Sequence, residues 1–132
     1  MLRNVFAAAV GLALIIVLAV GGDLVIVRLL PDAINEFGKM TDPGVLLLLL
    51  VYVFVVDTFG CWVAARIARE RPMATALVLG MIALTCASGS VIFLWEAAPA
   101  WYHMLTMAGV LPAAWLGGAT ARQARSKELA TA

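Results

Sequence analysis

Charged residues are scarce in this sequence. Asp, Glu, Lys and Arg make up 13% of its 132 residues, whereas hydrophobic residues make up 64%. A water-soluble domain of this size has too little interior to hide so much apolar surface. The composition therefore excludes a soluble globular domain and favours a protein whose solvent is lipid.

Cysteine and histidine are also rare, with two cysteines and one histidine in the chain. Cys61 and Cys86 lie in different apolar stretches, and a rise of about 1.5 Å per residue places them more than about 10 Å apart in depth, too far for a disulfide. A lone histidine cannot supply paired haem ligands, and no set of residues has the spacing of metal ligands. We therefore predict no metal and no other cofactor.

Motifs for nucleotides, nucleic acids and catalysis are missing. A formal net charge of +1 provides no large basic surface for nucleic acid, and there is no glycine-rich phosphate loop. No Ser-His-Asp set, Cys-His pair or close pair of carboxylates is visible. We predict no nucleic-acid or nucleotide partner and no enzymatic activity.

Long apolar runs are what the sequence has instead. Crossing about 30 Å of hydrocarbon takes roughly 20 helical residues. These runs are apolar throughout, whereas a transmembrane β-strand alternates between apolar and polar residues. Only Asp23 and Asp57 carry a formal charge within the four runs. The sequence predicts an all-α membrane protein, one domain of four transmembrane helices at residues 4–27, 44–65, 73–95 and 100–121.

Lys and Arg are unevenly divided between the two ends of these helices. Arg28 and Lys39 lie at one end of the helices, and the seven other basic residues lie at the more basic end. By the positive-inside rule the more basic end is cytoplasmic, which predicts a multi-pass protein of a bacterial inner membrane with both termini in the cytoplasm. The larger set is Arg3, Arg66, Arg69, Arg71, Arg122, Arg125 and Lys127.

The two halves of the chain show a weak repeat. Pro43 superposes on Pro99, and at the same shift residues 65–69 superpose on residues 121–125. This predicts two helical hairpins in parallel orientation, related by a pseudo-twofold axis along the membrane normal. The alternative is that each helix entering the cytoplasm collects arginine there without any duplication. The external segment after the first helix predicts a short interfacial helix near residues 31–37.

Small residues recur every four positions on the fourth predicted helix. Transmembrane helices associate through close backbone approach, which small side chains permit. The pattern predicts a packing seam, either within one bundle or between two copies of the chain. Its members are Gly109, Ala113, Gly117 and Ala121.

Asp57 is the main functional candidate. It lies nine residues before Arg66, about 13 Å inside the cytoplasmic boundary and so near the bilayer centre. Pro112 has a similar depth on the fourth helix and frees the carbonyl of Ala108, to which a protonated Asp57 could donate. One interpretation is that Asp57 pins two helices together. The other is that its protonation is coupled to passage of an ion or substrate.

Several polar residues are weaker candidates. Cys61 shares the face of Asp57, and Thr85 and Ser88 on the third helix would line a path beside it unless their hydroxyls bond to their own helix. Glu96 and His103 flank the second external turn and form a candidate hydrogen-bonded pair, with pH sensing as a further interpretation.

The first helix has an alternative interpretation as a secretory signal peptide, because Arg3 precedes an apolar run and the small residues Ala19 and Gly21. The run continues to Val27, which favours a retained transmembrane helix.

The segments from Gly60 to Pro72 and from Leu116 to Arg122 resemble the cytoplasmic ends of small four-helix proteins of bacterial inner membranes. This resemblance implies location and fold but no activity or site. In size and helix count the chain is also similar to small multidrug exporters, although the glutamate of their first helix has no counterpart between Asn4 and Gly22.

Two functions remain open on these grounds. We expect a structural or accessory component that packs against itself or a larger membrane partner, surrounded by membrane lipids. The alternative is a small proton-coupled transporter or channel that uses Asp57 in a homodimer.

Overall fold

Four long helices make up most of the structure, a computed structural model that describes residues 2–31, 39–68 and 71–131. Each α-helix is long and apolar enough to cross a membrane. The prediction of an all-helical chain with four such helices is therefore confirmed. The helices are α1 (Leu2–Leu29), α2 (Pro43–Ile67), α3 (Pro72–Phe93) and α4 (Ala100–Thr131), with a 3-10 helix at Trp95–Ala97 before α4.

Proline marks the start of two helices. Pro43 and Pro72 are the first residues of α2 and α3, where a missing backbone N–H costs nothing because that group has no partner within the helix. The carboxylate of Asp42 caps α2 by accepting a hydrogen bond of 2.8 Å from the backbone N–H of Gly44. These local signals determine where both helices begin.

All four helices end elsewhere than predicted. The helices α1 and α2 each continue two residues past their predicted ends at residues 27 and 65, to Leu29 and Ile67. The helix α4 continues past the predicted end at residue 121 to Thr131, because the polar residues that follow are mostly good helix formers. The helix α3 ends at Phe93, two residues before the predicted end at residue 95, because the chain turns there into the 3-10 helix. The interfacial helix predicted near residues 31–37 lies, apart from Pro31, outside the described residues.

Side-chain contacts show how the helix ends are grouped. Arg3 at the start of α1 donates hydrogen bonds of 3.2 and 3.1 Å to the carbonyl of Ile67 at the end of α2. Arg66 forms a 2.8 Å ion pair with Glu128 on α4. We call this the basic end of the bundle. The described basic residues in its helix termini are Arg3, Arg66, Arg71, Arg122, Arg125 and Lys127.

At the opposite end of the bundle, the segment before α2 contacts the turn between α3 and α4. The backbone N–H of Met40, before α2, donates a 2.9 Å hydrogen bond to the carbonyl of Ala97 in the 3-10 helix. Lys39 and Glu96 form an ion pair of 2.8 Å beside it. The segment that leads into α2 is thereby tied to the turn between α3 and α4.

The helix α2 lies at the centre of the bundle. It packs most extensively against α4, and also against α1 and α3, whereas α3 packs well against α4 and only slightly against α1. Among the described residues α1 and α4 make at most marginal contact, so α2 and α3 separate them. The two-hairpin pairing with its pseudo-twofold axis stays a prediction.

Candidate functional site around Asp57

Asp57 lies on the face of α2 that packs into the bundle, with 7% of its surface exposed. Gly60 and Cys61, one helical turn further along α2, are buried on the same face. These small side chains let α2 approach its neighbours closely. A carboxyl group is therefore held in the largely apolar interior of the bundle.

A cavity of about 240 Å³ opens beside Asp57, between α2 and α4. It extends from Asp57 toward the opposite end, because its other lining residues on α2 precede Asp57 in the chain. It exceeds the roughly 150 Å³ of an engineered cavity that holds benzene. Its walls, almost entirely apolar, are formed by Leu50, Val51, Val53, Phe54, Asp57, Leu105, Thr106 and Gly109.

The carboxyl group of Asp57 has no hydrogen bond or ion pair within the described part of the chain. Thr106, the other polar residue of the cavity, donates its hydroxyl to the carbonyl of Tyr102 at 2.9 Å. A carboxyl group without a partner is costly in an apolar medium in either protonation state. The site can therefore accept a hydrogen bond or a positive charge, or exchange a proton.

The contact between α2 and α4 tightens from the cavity toward the basic end. The space around a glycine can be described by where an added Cβ atom would lie. A Cβ added to Gly109, in the cavity wall, would be 3.5 Å from the ring of Phe54, an ordinary contact distance. A Cβ on Gly117 would be 2.5 Å from the carbonyl oxygen of Thr58 and 2.8 Å from the Cβ of Cys61. The backbones touch at Gly117, so the cavity is closed on that side. Ala113 and Ala121 are buried as well.

None of the four predicted neighbours of Asp57 lines this cavity. Pro112 is exposed on α4, which continues through it as a helix. Thr85 and Ser88 donate their hydroxyls to the carbonyls of Met81 and Leu84, each four residues earlier in α3. Cys61 is buried one turn from Asp57. The structure thus brings together Asp57, Cys61 and the small residues of α4, and leaves the polar residues of α3 apart.

Glu96 and His103, predicted as a pair, contact different residues. Glu96 pairs with Lys39, whose hydrogen bond and positive charge lower the pKa of the glutamate. The His103 ring stacks on that of Trp95, with centroids 5.6 Å apart and planes 19° apart. His103 is buried, and its Nε2 has no hydrogen-bond partner among the described residues. Within those residues no three His, Cys, Asp or Glu side chains gather as metal ligands.

One polar contact has no counterpart among the sequence predictions. The hydroxyl of Tyr52 on α2 donates a 2.6 Å hydrogen bond to the carbonyl of Leu18 on α1. The Tyr52 ring lies against the backbone of Gly22, where any side chain would overlap it. Nothing in the sequence connects Gly22 with Tyr52.

Comparisons with known protein families, curated proteins and solved structures found no significant match. Four apolar helices are consistent with a small multi-pass membrane protein. The function is therefore inferred from the chemistry of this chain.

Proposed function

We propose that this protein is a structural or accessory component of the bacterial inner membrane that packs against a helix of a second copy or of a larger membrane partner. Its four apolar helices support a membrane location. The concentration of Lys and Arg at the basic end supports an orientation with both termini in the cytoplasm. The cavity between α2 and α4 is the proposed contact site.

The observation that carries this proposal is that the carboxyl group of Asp57, beside an open cavity, has no hydrogen bond or ion pair among the described residues. Hydrocarbon offers no hydrogen bonds, so a neighbouring helix that inserts a donor would remove the cost of leaving this group unsatisfied. Such hydrogen bonds between transmembrane helices contribute about 0.6–2 kcal/mol each. A cavity of about 240 Å³ has room for one long side chain. The arrangement is that of a binding site completed by another helix.

The test is the mass of the complex after purification in a mild detergent. We expect the wild-type chain to purify with a second copy or a stoichiometric partner. Asp57→Leu should weaken this association by removing the acceptor, and Gly109→Leu should weaken it by filling the cavity. Asp23→Leu, the same change in an exposed residue near the C-terminal end of α1, is the matched control. A monomeric wild-type protein, or unchanged association in both cavity variants, contradicts the proposal.

A second candidate function is proton-coupled transport by a homodimer through Asp57. Its specific support is the position of the cavity. The cavity extends from Asp57 toward the end opposite the basic end, and backbone contact at Gly117 closes the side that faces the basic end. Access to an intramembrane acid from one side at a time is what alternating access requires.

Reconstituted vesicles distinguish this candidate from the first. With a pH gradient across the membrane and a pH-sensitive dye inside, the wild-type protein should carry protons faster than empty vesicles do. Asp57→Asn should abolish this flux, and Asp23→Asn should preserve it. Flux that is no faster than in empty vesicles, or that Asp57→Asn leaves unchanged, eliminates transport without affecting the first proposal.

A further inference from the structure

A second and larger cavity, of about 440 Å³, lies between α1 and α3 at the basic end. We call it the α1–α3 groove. It forms because these two helices pack only slightly against each other. None of its residues lines the Asp57 cavity, so it is independent of the function proposed above. It is lined by Asn4, Val5, Ala8, Ala9, Leu12, Arg71, Ala74, Thr75, Val78 and Ile82.

The length of the groove corresponds to one leaflet of a bilayer. On α1 it extends from Asn4 to Leu12, and along α3 it extends from Arg71, the residue before the helix, to Ile82. At about 1.5 Å per residue these segments are about 12 and 16 Å long. Half of a hydrocarbon core of about 30 Å is about 15 Å. The groove therefore starts at the membrane surface and ends near the midplane.

Polar groups are concentrated at the surface end of the groove. Asn4 and Arg71 lie there, and the guanidinium group of Arg71 is exposed and has no hydrogen bond or ion pair within the described residues. The hydroxyl of Thr75 already donates to the carbonyl of Arg71 at 3.1 Å. The nearby Arg3 is bonded to the uncharged carbonyl of Ile67, so its positive charge is not neutralised there.

The deeper part of the groove is apolar. Ala8 and Ala74 leave space between the helices, and Val78 and Ile82 line the end near the midplane. A flexible hydrocarbon chain fits a narrow apolar space of this kind, with a negatively charged group at its cationic opening. Basic residues at a membrane surface attract anionic lipids in the same way.

We propose that the α1–α3 groove binds an anionic glycerophospholipid from the leaflet at the basic end. The phosphate lies against Arg71 and the amide of Asn4, and one acyl chain follows the groove between α1 and α3. The lipid fills the gap between the two helices that contact each other least among the packed pairs. Its occupancy adds a link between α1 and α3, while α1 already packs against α2.

Native mass spectrometry of the delipidated protein in detergent tests this site. We expect phosphatidylglycerol to bind more tightly than phosphatidylcholine with the same acyl chains. Arg71→Gln should weaken phosphatidylglycerol binding about fivefold, the effect of one basic residue at a membrane surface. Arg122→Gln, at the same end but outside the groove, is the matched control. Inorganic phosphate should not displace the lipid.

A variant in the apolar part separates the groove from the general charge of the basic end. Ala8→Phe should reduce binding of both lipids because it blocks the path of the acyl chain, and circular dichroism should show unchanged helix content. If Ala8→Phe loses its helix content, Val78→Phe takes its place. Equal binding of the two lipids, an equal loss in Arg122→Gln, or full binding in a folded groove-blocking variant would overturn the proposal.

Discussion

The two halves of the bundle are held together in different ways. Toward the basic end, helix backbones touch: a Cβ on Gly11 would be 2.8 Å from the carbonyl oxygen of Gly60, and one on Gly117 would be 2.5 Å from that of Thr58. Toward the opposite end, Gly21 and Gly89 have no neighbouring atom within 4 Å of such a Cβ. One half is packed through its backbones, whereas in the other half Gly21 and Gly89 face open space and Gly22 meets the side chain of Tyr52.

Side-chain exposure also differs between the core of the basic half and the end of α3. The core residues Ala7, Ala64 and Ala76 are fully buried, whereas Ile92 and Phe93 near the end of α3 are 77% and 88% exposed. Specific polar contacts, such as the hydrogen bond from Tyr52 to α1, hold the open half in place. Because lipid chains are as apolar as leucine, tight packing must come from small residues. Where these contacts are fewer, room remains for the cavity beside Asp57.

The largest expected effect comes from breaking the tight half. Gly117→Ala places a methyl group against the backbone of α2, so α2 and α4 must separate. We expect a loss of about 1–3 kcal/mol in the free energy of unfolding, the usual cost of overpacking. Unfolding in mixed detergent micelles, followed by circular dichroism, measures it. Gly89→Ala makes the same change where space is open, and it should be nearly neutral. Equal losses in the two variants would refute this contrast between the halves.

A smaller effect is expected from the polar contact in the open half. Tyr52→Phe removes the hydroxyl that donates to the carbonyl of Leu18, and should reduce the free energy of unfolding by about 0.5–1.5 kcal/mol. The same micelle assay applies. Thr85→Val, which removes a hydroxyl bonded only within its own helix, should cost less. If the threonine variant loses as much as the tyrosine variant, the interhelical hydrogen bond has no special role.

The smallest effect concerns the ion pair between Lys39 and Glu96. Because Lys39 lowers the pKa of Glu96 in the folded protein, the pair stabilises the fold fully above the ordinary glutamate pKa of about 4.3. This contribution is lost as the pH falls through the lowered pKa. Wild type should therefore unfold at a slightly higher temperature than Glu96→Gln at pH 7, and at the same temperature at strongly acid pH.

Salt provides the control for this pH dependence. Both side chains are partly exposed, so high salt at pH 7 should reduce the difference between wild type and Glu96→Gln. A difference that persists unchanged at acid pH would show that the variant acts through something other than the charge of Glu96.

Most of the architecture was predictable because a transmembrane helix satisfies its own backbone hydrogen bonds. Pro43 and Pro72 mark helix starts locally, without reference to the rest of the chain. The end of α4 was missed because hydropathy reports where an apolar run ends, whereas the helix continues through the polar residues 122–131. The burial of Asp57 was predictable from the cost of a carboxyl group in lipid, but its lack of a hydrogen bond among the described residues was not.

The sequence by itself determined the number and approximate length of the apolar helices, because apolar length and helix starts are local properties. Only the tertiary structure decided which faces meet: Gly117 against α2, Tyr52 against α1, and a cavity rather than Pro112 beside Asp57. The physical reason is that lipid and protein core are equally apolar, so the hydropathy of a helix that is apolar on all sides does not reveal which face packs against its neighbours. The rotation of each helix is then set by small residues far apart in the sequence.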